Sequence, residues 1–220
     1  MKRKVNVLII VYQLIIAYPL VLLITLLVAL ATIVLSPLFP NHTVSYFPAR
    51  WWGRVICFLF FVKVRFTGLE NVDTTQSCII AANHQSMFDI FIIYGWLPYL
   101  FKWVMKAELR RVPFIGKACE SAGHIFINRS NPVAARKSIE KAERQLKNGI
   151  SLVIFPEGTR TSDGSVGKFK KGAFRIAADL QLPILPVSIS GAFARMPRSS
   201  FVVQPGIINV HFHSPIDVKP

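Results

Sequence analysis

Acidic residues are scarce in this sequence. Its 220 residues include 11 Asp and Glu against 26 Lys and Arg, which gives a formal net charge of +15. With 52% hydrophobic residues, this balance is unusual for a soluble domain. The excess of cations favours a polyanionic partner such as anionic lipid, nucleic acid or a phosphorylated small molecule. Because no nucleic-acid-binding motif is recognisable, and nucleic acid would leave the apolar N-terminus unexplained, the sequence favours a membrane surface.

Charged side chains are absent from residues 5–40, directly after three consecutive basic residues. The apolar run is too long for a signal-peptide core, and no small-residue cleavage site accompanies it. One helix over residues 5–36 would be roughly 48 Å long, against a hydrocarbon core of about 30 Å. This mismatch predicts a tilt, a break at Pro19 or a hairpin.

Basic residues on both sides of the apolar segment fit a monotopic or hairpin arrangement whose ends return to the cytoplasmic face. A spanning helix is the alternative, and it would place the rest of the chain on the far side. We expect a membrane protein with its folded domain on the cytoplasmic face, at the inner or cell membrane if the protein is bacterial.

Cysteine is also rare. Cys57, Cys78 and Cys119 lie in apolar surroundings without paired metal-ligand spacing, which predicts reduced core thiols in a cytosolic domain. Ligand spacing is equally absent around four of the five histidines, His42, His124, His211 and His213. The sequence therefore predicts no metal and no bound cofactor.

The sequence does not clearly indicate a serine nucleophile, because it contains no Gly-x-Ser-x-Gly elbow. The fifth histidine, however, belongs to the segment Asn83–Asp89 (NHQSMFD), which also holds Ser86, a weak candidate nucleophile. An apolar run at residues 78–82 predicts a buried strand before this segment, and residues 87–96 predict a helix after it.

His84 and Asp89 are five positions apart. Inside one helix that separation would rotate their side chains about 140° apart, so we place His84 in the turn and Asp89 on the helix, facing back toward the imidazole. A carboxylate that orients one ring nitrogen leaves the other free to take a proton. Taken alone the pair also fits a structural or capping role. As a catalytic pair, it indicates a base acting on a hydroxyl that the substrate supplies.

Three further segments support a site. Phe155–Arg160 (FPEGTR) follows a second predicted strand, Gly123–Arg129 (GHIFINR) is a third strand ending in a cation, and Ile184–Ile189 is a fourth apolar stretch. Because ligands of open α/β sheets bind beyond the carboxyl ends of the strands, the His84 loop and the FPEGTR loop are expected to face one crevice. Each residue also has an ordinary interpretation, as a surface cation, a cap or a turn glycine.

The ordered blocks NHQSMFD, GHIFINR, FPEGTR and LPVSI resemble those of the glycerolipid acyltransferases, in particular the 1-acylglycerol-3-phosphate acyltransferases, over about residues 64–215. The resemblance implies that His84 is the general base and that Asp89 orients it. It implies a phosphate-bearing acceptor bound by Lys106, Arg129, Glu157, Gly158, Thr159 and Arg160. Arginine suits that task because its guanidinium binds phosphate oxygens in a fork.

The expected activity is transfer of a fatty acyl group from acyl-coenzyme A or acyl carrier protein to lysophosphatidic acid. The alternatives are another acceptor, such as glycerol 3-phosphate or a different lysolipid, and a non-catalytic membrane lipid-binding protein. The resemblance implies an α/β fold, with one acyltransferase domain at residues 64–220 and a mixed, largely parallel sheet flanked by helices. Residues 1–63 are expected to be a membrane-anchoring helical segment. For it the resemblance implies a membrane-dipping helical pair whose second, shallower element is Tyr46–Val62, with Trp51 and Trp52 at the interface and Ile56–Val62 below it. Surface helices are predicted at 131–149 and 173–180, and a late edge strand at Val210 and Phe212.

Overall fold

The computed structural model describes residues 6–39, 43–128, 138 and 150–218. Its centre is a seven-stranded sheet whose strands run in the order β1-β7-β6-β2-β5-β3-β4. The strands are β1 Val62–Thr67, β2 Ile79–Ala82, β3 Leu100–Lys106, β4 Ile125–Ile127, β5 Ile150–Ile154, β6 Ile184–Ser190 and β7 Gly206–Phe212. All neighbouring pairs are parallel except β6 and β7, which are antiparallel. The predicted mixed, largely parallel sheet is confirmed.

Helices cover both faces of this sheet. They are α1 Val7–Tyr12, α2 Tyr18–Leu38, α3 Thr43–Leu59, α4 Phe88–Trp96, α5 Ile115–Ser121, α6 Lys171–Leu180 and the short α7 Ala192–Arg195. Helices α3 and α4 pack in the larger apolar core on one face, and Ile176 and Ala177 of α6 pack in the smaller core on the other. The helix predicted at 173–180 is confirmed as α6. The helix predicted at 131–149 lies outside the described residues, apart from Ser138.

The N-terminal apolar segment forms one helical run, Val7–Leu38, that is long and apolar enough to cross a bilayer. A π-helical turn at Gln13–Ala17 joins α1 to α2, and Pro19 lies in the first turn of α2. Proline has no N–H to donate to the preceding turn of a continuous helix, and this missing donor coincides with the π-helical turn directly before it. The run therefore does not break at Pro19, and the irregularity lies one turn earlier.

Polar side chains in this apolar run bind the folded domain. Gln13 is only 2% exposed, and its side chain both donates to the Val203 carbonyl, at 2.6 Å, and accepts from the Val203 N–H, at 3.0 Å. The Tyr12 hydroxyl donates to the Leu59 carbonyl at 3.0 Å. A second set of side chains on the same run is apolar and exposed, including Leu8, Leu22, Leu23, Leu27 and Val34. The helix thus has one face on the protein and one that suits a lipid environment.

Helix α3 packs on α4 over part of its length. Ile56 and Cys57 of α3, and Phe60 directly after it, are each at most 3% exposed and belong to the protein core. A Cβ at Gly53 would overlap the backbone of α4 at Phe91 and Gly95, so glycine permits this close helix contact. Phe58 and Phe61, by contrast, are 75% and 57% exposed. The predicted position of Ile56–Val62 below the membrane interface stays a prediction, because its side chains are divided between the protein core and the exposed surface.

The late strand is not at the edge of the sheet. Strand β7 lies between β6 and β1, and it pairs in parallel with β1 from Val62↔Gly206 to Thr67↔His211. The prediction of an edge strand is wrong because β1 was not predicted as a strand. Its alternating residues 62–67 had been divided between the membrane segment and the domain. The expected domain boundary between residues 63 and 64 falls inside this strand.

Candidate active site

His84 lies in the turn between β2 and α4, and Asp89 lies in the first turn of α4. The His84 Nδ1 and Asp89 Oδ2 atoms are 2.9 Å apart, and the two side chains are 13% and 0% exposed. The contact expected from the five-residue spacing is present. With Nδ1 engaged by the carboxylate, Nε2 is left to accept a proton.

The Asp89 carboxylate is also held by the backbone. Its Oδ2 accepts from the N–H of Gln85, at 2.6 Å, and of Ser86, at 2.8 Å. Burial raises the pKa of the Asp89 carboxyl above its usual range, while these bonds and the contact with His84 oppose that shift. The carboxylate is therefore fixed in position before any substrate binds, and it can stabilise an imidazolium at His84.

The His84 ring is held from its other side as well. It stacks on the Phe155 ring with 3.9 Å between centroids and 6° between planes. Asn83 fixes the start of the loop by exchanging two hydrogen bonds with the Ile189 backbone, of 2.9 and 2.7 Å. Ser86 is 0% exposed and its hydroxyl donates to the Met196 carbonyl, which gives it a structural contact rather than the exposure of a nucleophile.

Glu157 joins the two predicted loops. Strands β2 and β5 are parallel neighbours, so their carboxyl ends meet at one edge of the sheet, as the crevice hypothesis requires. Glu157 is 6% exposed, and its carboxylate accepts from the backbone N–H of His84, at 2.6 Å, and of Gly167, at 2.8 Å. Both of its oxygens are thus bound to the protein backbone, which positions the His84 loop.

Lys106, Arg160 and Arg198 line the same cavity as His84. Lys106 ends β3, and Arg160 ends the FPEGTR loop. Arg198 was not selected from the sequence, because it stands alone after α7 and outside the four blocks. Its guanidinium donates to the Thr159 hydroxyl at 3.3 Å. Arg129 lies outside the described residues.

Gly158 gives the FPEGTR loop its shape. Its φ of 77° is in the left-handed region, which glycine adopts at little cost. Its N–H donates to the Phe155 carbonyl at 3.0 Å, which closes the turn directly beneath the His84 ring.

His84 lines a large cavity of about 780 Å³. We call the residues His84, Lys106, Thr159, Arg160 and Arg198 its mouth. Of these, Lys106, Thr159 and Arg198 are exposed, as are the apolar lining residues Leu109, Val112 and Ile115. Beyond the mouth the walls are mostly apolar and come from β3 and from helices α2, α3, α4 and α5, with residues such as Val21, Val28, Trp52, Phe91 and Ala118. The N-terminal helix α2 is therefore part of the cavity wall.

In the described ranges, no group of three or more His, Cys, Asp or Glu side chains is placed to hold a metal ion. Cys57 and Cys78 are buried and Cys119 is half-buried, and none of the three forms a disulfide.

Fold and site define a class: an α/β protein with a His–Asp pair at the carboxyl edge of a largely parallel sheet, at the mouth of an apolar cavity. The acyltransferase family model matches residues 63–190. The chain belongs to the acyltransferase family.

Its relatives carry one activity in their names. This chain is 34% identical over 173 residues to the chloroplastic 1-acyl-sn-glycerol-3-phosphate acyltransferase BAT2 of Brassica napus. The aligned region covers 78% of this chain and 50% of that protein. The chain is 34% identical over 181 residues to the 1-acyl-sn-glycerol-3-phosphate acyltransferase of Pseudomonas aeruginosa, covering 80% and 69%. The chain spans about half the length of the plant relatives BAT2 and LPAT1 that it matches.

A solved structure agrees with the whole architecture. The 1-acyl-sn-glycerophosphate (LPA) acyltransferase PlsC of Thermotoga maritima superposes with a TM-score of 0.76 at 29% identity. The match covers 96% of this chain and 85% of that one, so it includes the N-terminal helices as well as the sheet.

Proposed function

We propose that this protein transfers a fatty acyl group from a thioester of coenzyme A or acyl carrier protein to the free hydroxyl of lysophosphatidic acid, giving phosphatidic acid. The observation that carries the proposal is the His84 imidazole, held through Nδ1 by a buried carboxylate at the mouth of an apolar cavity. The names of the relatives from Brassica napus and Pseudomonas aeruginosa add support, since each describes a 1-acyl-sn-glycerol-3-phosphate acyltransferase.

The chemistry follows from this geometry. As the acceptor oxygen attacks the thioester carbonyl, His84 Nε2 takes the hydroxyl proton and a C–O bond forms. Collapse of the tetrahedral intermediate breaks the C–S bond, and the proton on His84 passes to the departing thiolate. Asp89 stabilises the imidazolium between these two steps. No covalent intermediate on the protein is needed.

The acceptor's phosphate is assigned to the cations at the mouth. Arg160, Arg198 and Lys106 line the cavity beside His84 and offer the charge-assisted donors that a phosphate needs. Arg129 keeps its role from the family resemblance. Glu157, although predicted as a binding residue, has both carboxylate oxygens on backbone N–H groups, so we assign it to holding the His84 loop in place.

The acyl chain of the donor is assigned to the cavity, whose volume and mostly apolar walls suit a hydrocarbon chain. The exposed apolar face of α1 and α2 is assigned to the bilayer. Because the lysolipid and the product both reside in lipid, a site at the membrane surface avoids exposing their chains to water, at about 0.8 kcal/mol per methylene. We keep the prediction that the folded domain is on the cytoplasmic face, where both donors occur.

The test is an acyl-transfer assay of the purified protein in detergent. Labelled acyl-coenzyme A and labelled acyl carrier protein are each offered with lysophosphatidic acid, glycerol 3-phosphate and neutral or zwitterionic lysolipids. We expect labelled phosphatidic acid from lysophosphatidic acid and at least one donor. Product only with another acceptor would replace the assigned substrate. Saturable lipid binding with no product from any pair would favour the non-catalytic lipid-binding alternative.

A further inference from the structure

Cations are concentrated in the loop before α6 and in the first turns of that helix. Residues 164–178 contain four basic residues and no Asp or Glu. All four basic side chains are exposed, as are two phenylalanines among them, and all six lie outside the lining of the cavity. We call these six residues the basic patch: Lys168, Phe169, Lys170, Lys171, Phe174 and Arg175.

The fold does not account for the charge of the basic patch. Lys170 is the N-cap of α6 and Lys171 is its first residue, and the first turn holds no acidic residue. Cations at this end of a helix are disfavoured by the helix dipole. Within the part of the chain that the structure describes, none of the four cations forms an ion pair. An anionic partner from outside the chain would stabilise this uncompensated charge.

The basic patch is held beside the loop that carries the base. The Gly167 N–H donates to the Glu157 carboxylate at 2.8 Å, and the same carboxylate accepts from the His84 N–H. The Lys170 N–H donates to the Pro156 carbonyl at 2.9 Å. A partner bound to the patch is therefore next to the active-site loops, although it does not enter the cavity.

The basic patch is also separated from the segments assigned to the bilayer. Helix α6 packs in the smaller core through Ile176 and Ala177, on one face of the sheet. Tyr12, Ala17 and Val21 of the N-terminal helical run pack in the larger core, on the other face. The patch thus faces away from those helices, and a partner that meets it approaches from the aqueous side.

The chemistry of the basic patch fits a protein partner. Phe169 and Phe174 are 45% and 37% exposed, with 6.0 Å between their ring centroids. Lys171 and Arg175 are four positions apart, so they lie on one side of α6. Aromatic and arginine side chains are enriched where proteins meet, whereas small molecules bind in concave sites. Exposed rings and cations on a loop and a helix therefore suit an acidic protein surface better than the nucleotide of coenzyme A.

We propose that the basic patch docks an acidic carrier protein, which presents its acyl thioester to His84. The inference rests on the proposed function for its acyl donor, and it selects the carrier protein as the donor whose surface this chain recognises. Acyl-coenzyme A carries the same thioester but no protein surface, so its reaction does not depend on the patch.

The experiment compares the wild type with Lys168→Glu/Lys171→Glu in detergent. Turnover is measured as kcat/KM with palmitoyl-acyl carrier protein and with palmitoyl-coenzyme A, and fluorescence anisotropy of labelled palmitoyl-acyl carrier protein measures binding without turnover. We expect kcat/KM for the carrier protein to fall, and its Kd to rise, by about tenfold because complementary charge is lost. The values for palmitoyl-coenzyme A should be unchanged. Added salt should reduce the difference between variant and wild type, because it screens exposed charges.

The matched control is Lys63→Glu/Arg65→Glu, which makes the same change of charge on the exposed side of β1 and should leave both donors unaffected. Thermal unfolding verifies that each variant is folded. Equal losses for both donors, or unchanged carrier binding, would overturn the docking surface. Loss of binding to phosphatidylglycerol vesicles with unchanged carrier binding would assign the patch to lipid instead.

Failure of the proposed function gives a different result. Carrier binding that only the Lys168→Glu/Lys171→Glu variant loses, without product from either donor in the wild type, would refute acyl transfer and leave the docking surface standing. A wild type that uses palmitoyl-coenzyme A but does not bind the carrier protein would overturn the docking surface and leave acyl transfer standing.

Discussion

Two histidines line the cavity, in contrasting surroundings. His84 at the mouth contacts the buried carboxylate of Asp89, which can stabilise an imidazolium. His124 accepts from the backbone N–H of Trp103 and donates to the Tyr94 hydroxyl, and burial together with the charge of Lys102 lowers its pKa to about 3. The same side chain is thus suited to proton transfer in one place and to a fixed neutral hydrogen bond in the other. The difference comes from their hydrogen-bond partners. His84 faces the Asp89 carboxylate on α4, whereas His124 faces the Tyr94 hydroxyl on α4 and the Trp103 backbone on β3.

The strongest way to test this contrast is to remove the base. We expect His84→Ala to lower kcat by about a hundredfold or more, the usual worth of a general base, without changing the thermal unfolding midpoint much. His211→Ala, on the exposed side of β7, is the matched control and should keep wild-type activity. A folded His84→Ala protein with turnover within about tenfold of the wild type would refute the assignment.

A smaller effect is expected from the cations of the mouth. Arg160→Ala and Arg198→Ala should each raise the KM for lysophosphatidic acid about tenfold, the scale of a charge-assisted hydrogen bond. Replacement by lysine should restore only part of the lost affinity for the acceptor, because the lysine ammonium cannot bind two phosphate oxygens as the forked guanidinium does. Arg129→Ala is predicted to behave alike. Arg65→Ala, on the exposed side of β1, is the control. Unchanged acceptor dependence at both arginines would move the phosphate site elsewhere.

A still smaller effect is expected at Glu157, which contacts the base only through the backbone. In Glu157→Gln one side-chain oxygen remains, so one of the N–H groups of His84 and Gly167 loses its acceptor. We expect a loss of about 1–3 kcal/mol in unfolding free energy and a roughly fivefold lower kcat, with the acceptor's KM unchanged. Exposed Glu70→Gln should alter neither quantity. A rise in acceptor KM alone would indicate that Glu157 contacts substrate.

For His124, the prediction concerns stability rather than turnover. Because the pKa of His124 is about 3 in the folded state and its ordinary value is 6.5, the unfolded chain binds one more proton between these values. The contribution is therefore complete above pH 6.5 and is lost as the pH falls toward 3, by at most about 1.4 kcal/mol per pH unit.

The measurement is the free energy of unfolding against pH for the wild type and His124→Asn, whose side-chain oxygen can still accept from the Trp103 N–H. The wild type should lose stability faster than the variant as the pH falls from 6.5. Parallel curves would mean that the pKa of His124 is the same in the folded and unfolded states.

Local sequence signals predicted the contact between His84 and Asp89 and the crevice that His84 shares with the FPEGTR loop. The strand, turn and helix around His84 are adjacent in the chain, so spacing alone was enough to bring Asp89 to the imidazole. The crevice followed from a general rule for parallel sheets, since β2 and β5 had only to be neighbours. The contacts of Glu157 could not be predicted in this way. Its carboxylate binds backbone N–H groups, which every residue except proline has, so the sequence does not indicate which ones it binds.

The cavity wall depends on contacts between distant parts of the chain. Helix α3 is apolar enough for lipid or for a protein core, and its packing on α4 through Gly53 places Ile56 and Cys57 in the core. Strand β1 pairs with β7, about 140 residues later, so the hydrophobic pattern of neither strand identifies its partner. Arg198 belongs to no block, and it is recognised only because the fold brings it beside Thr159.

Photolabelling with acyl-coenzyme A analogues tests the central claim, one cavity with acyl transfer at its mouth and the acyl chain in its interior. One analogue carries a diazirine beside the thioester and the other carries it at the methyl end of the chain, and peptide mass spectrometry locates each adduct. We expect the first to label the loops that hold His84 and Phe155, and the second to label residues near Trp103 and Tyr94. Labelling of the exposed face of α2, around Leu23 and Leu27, by the methyl-end probe would contradict the account, since the chain would then lie in lipid and not in the protein.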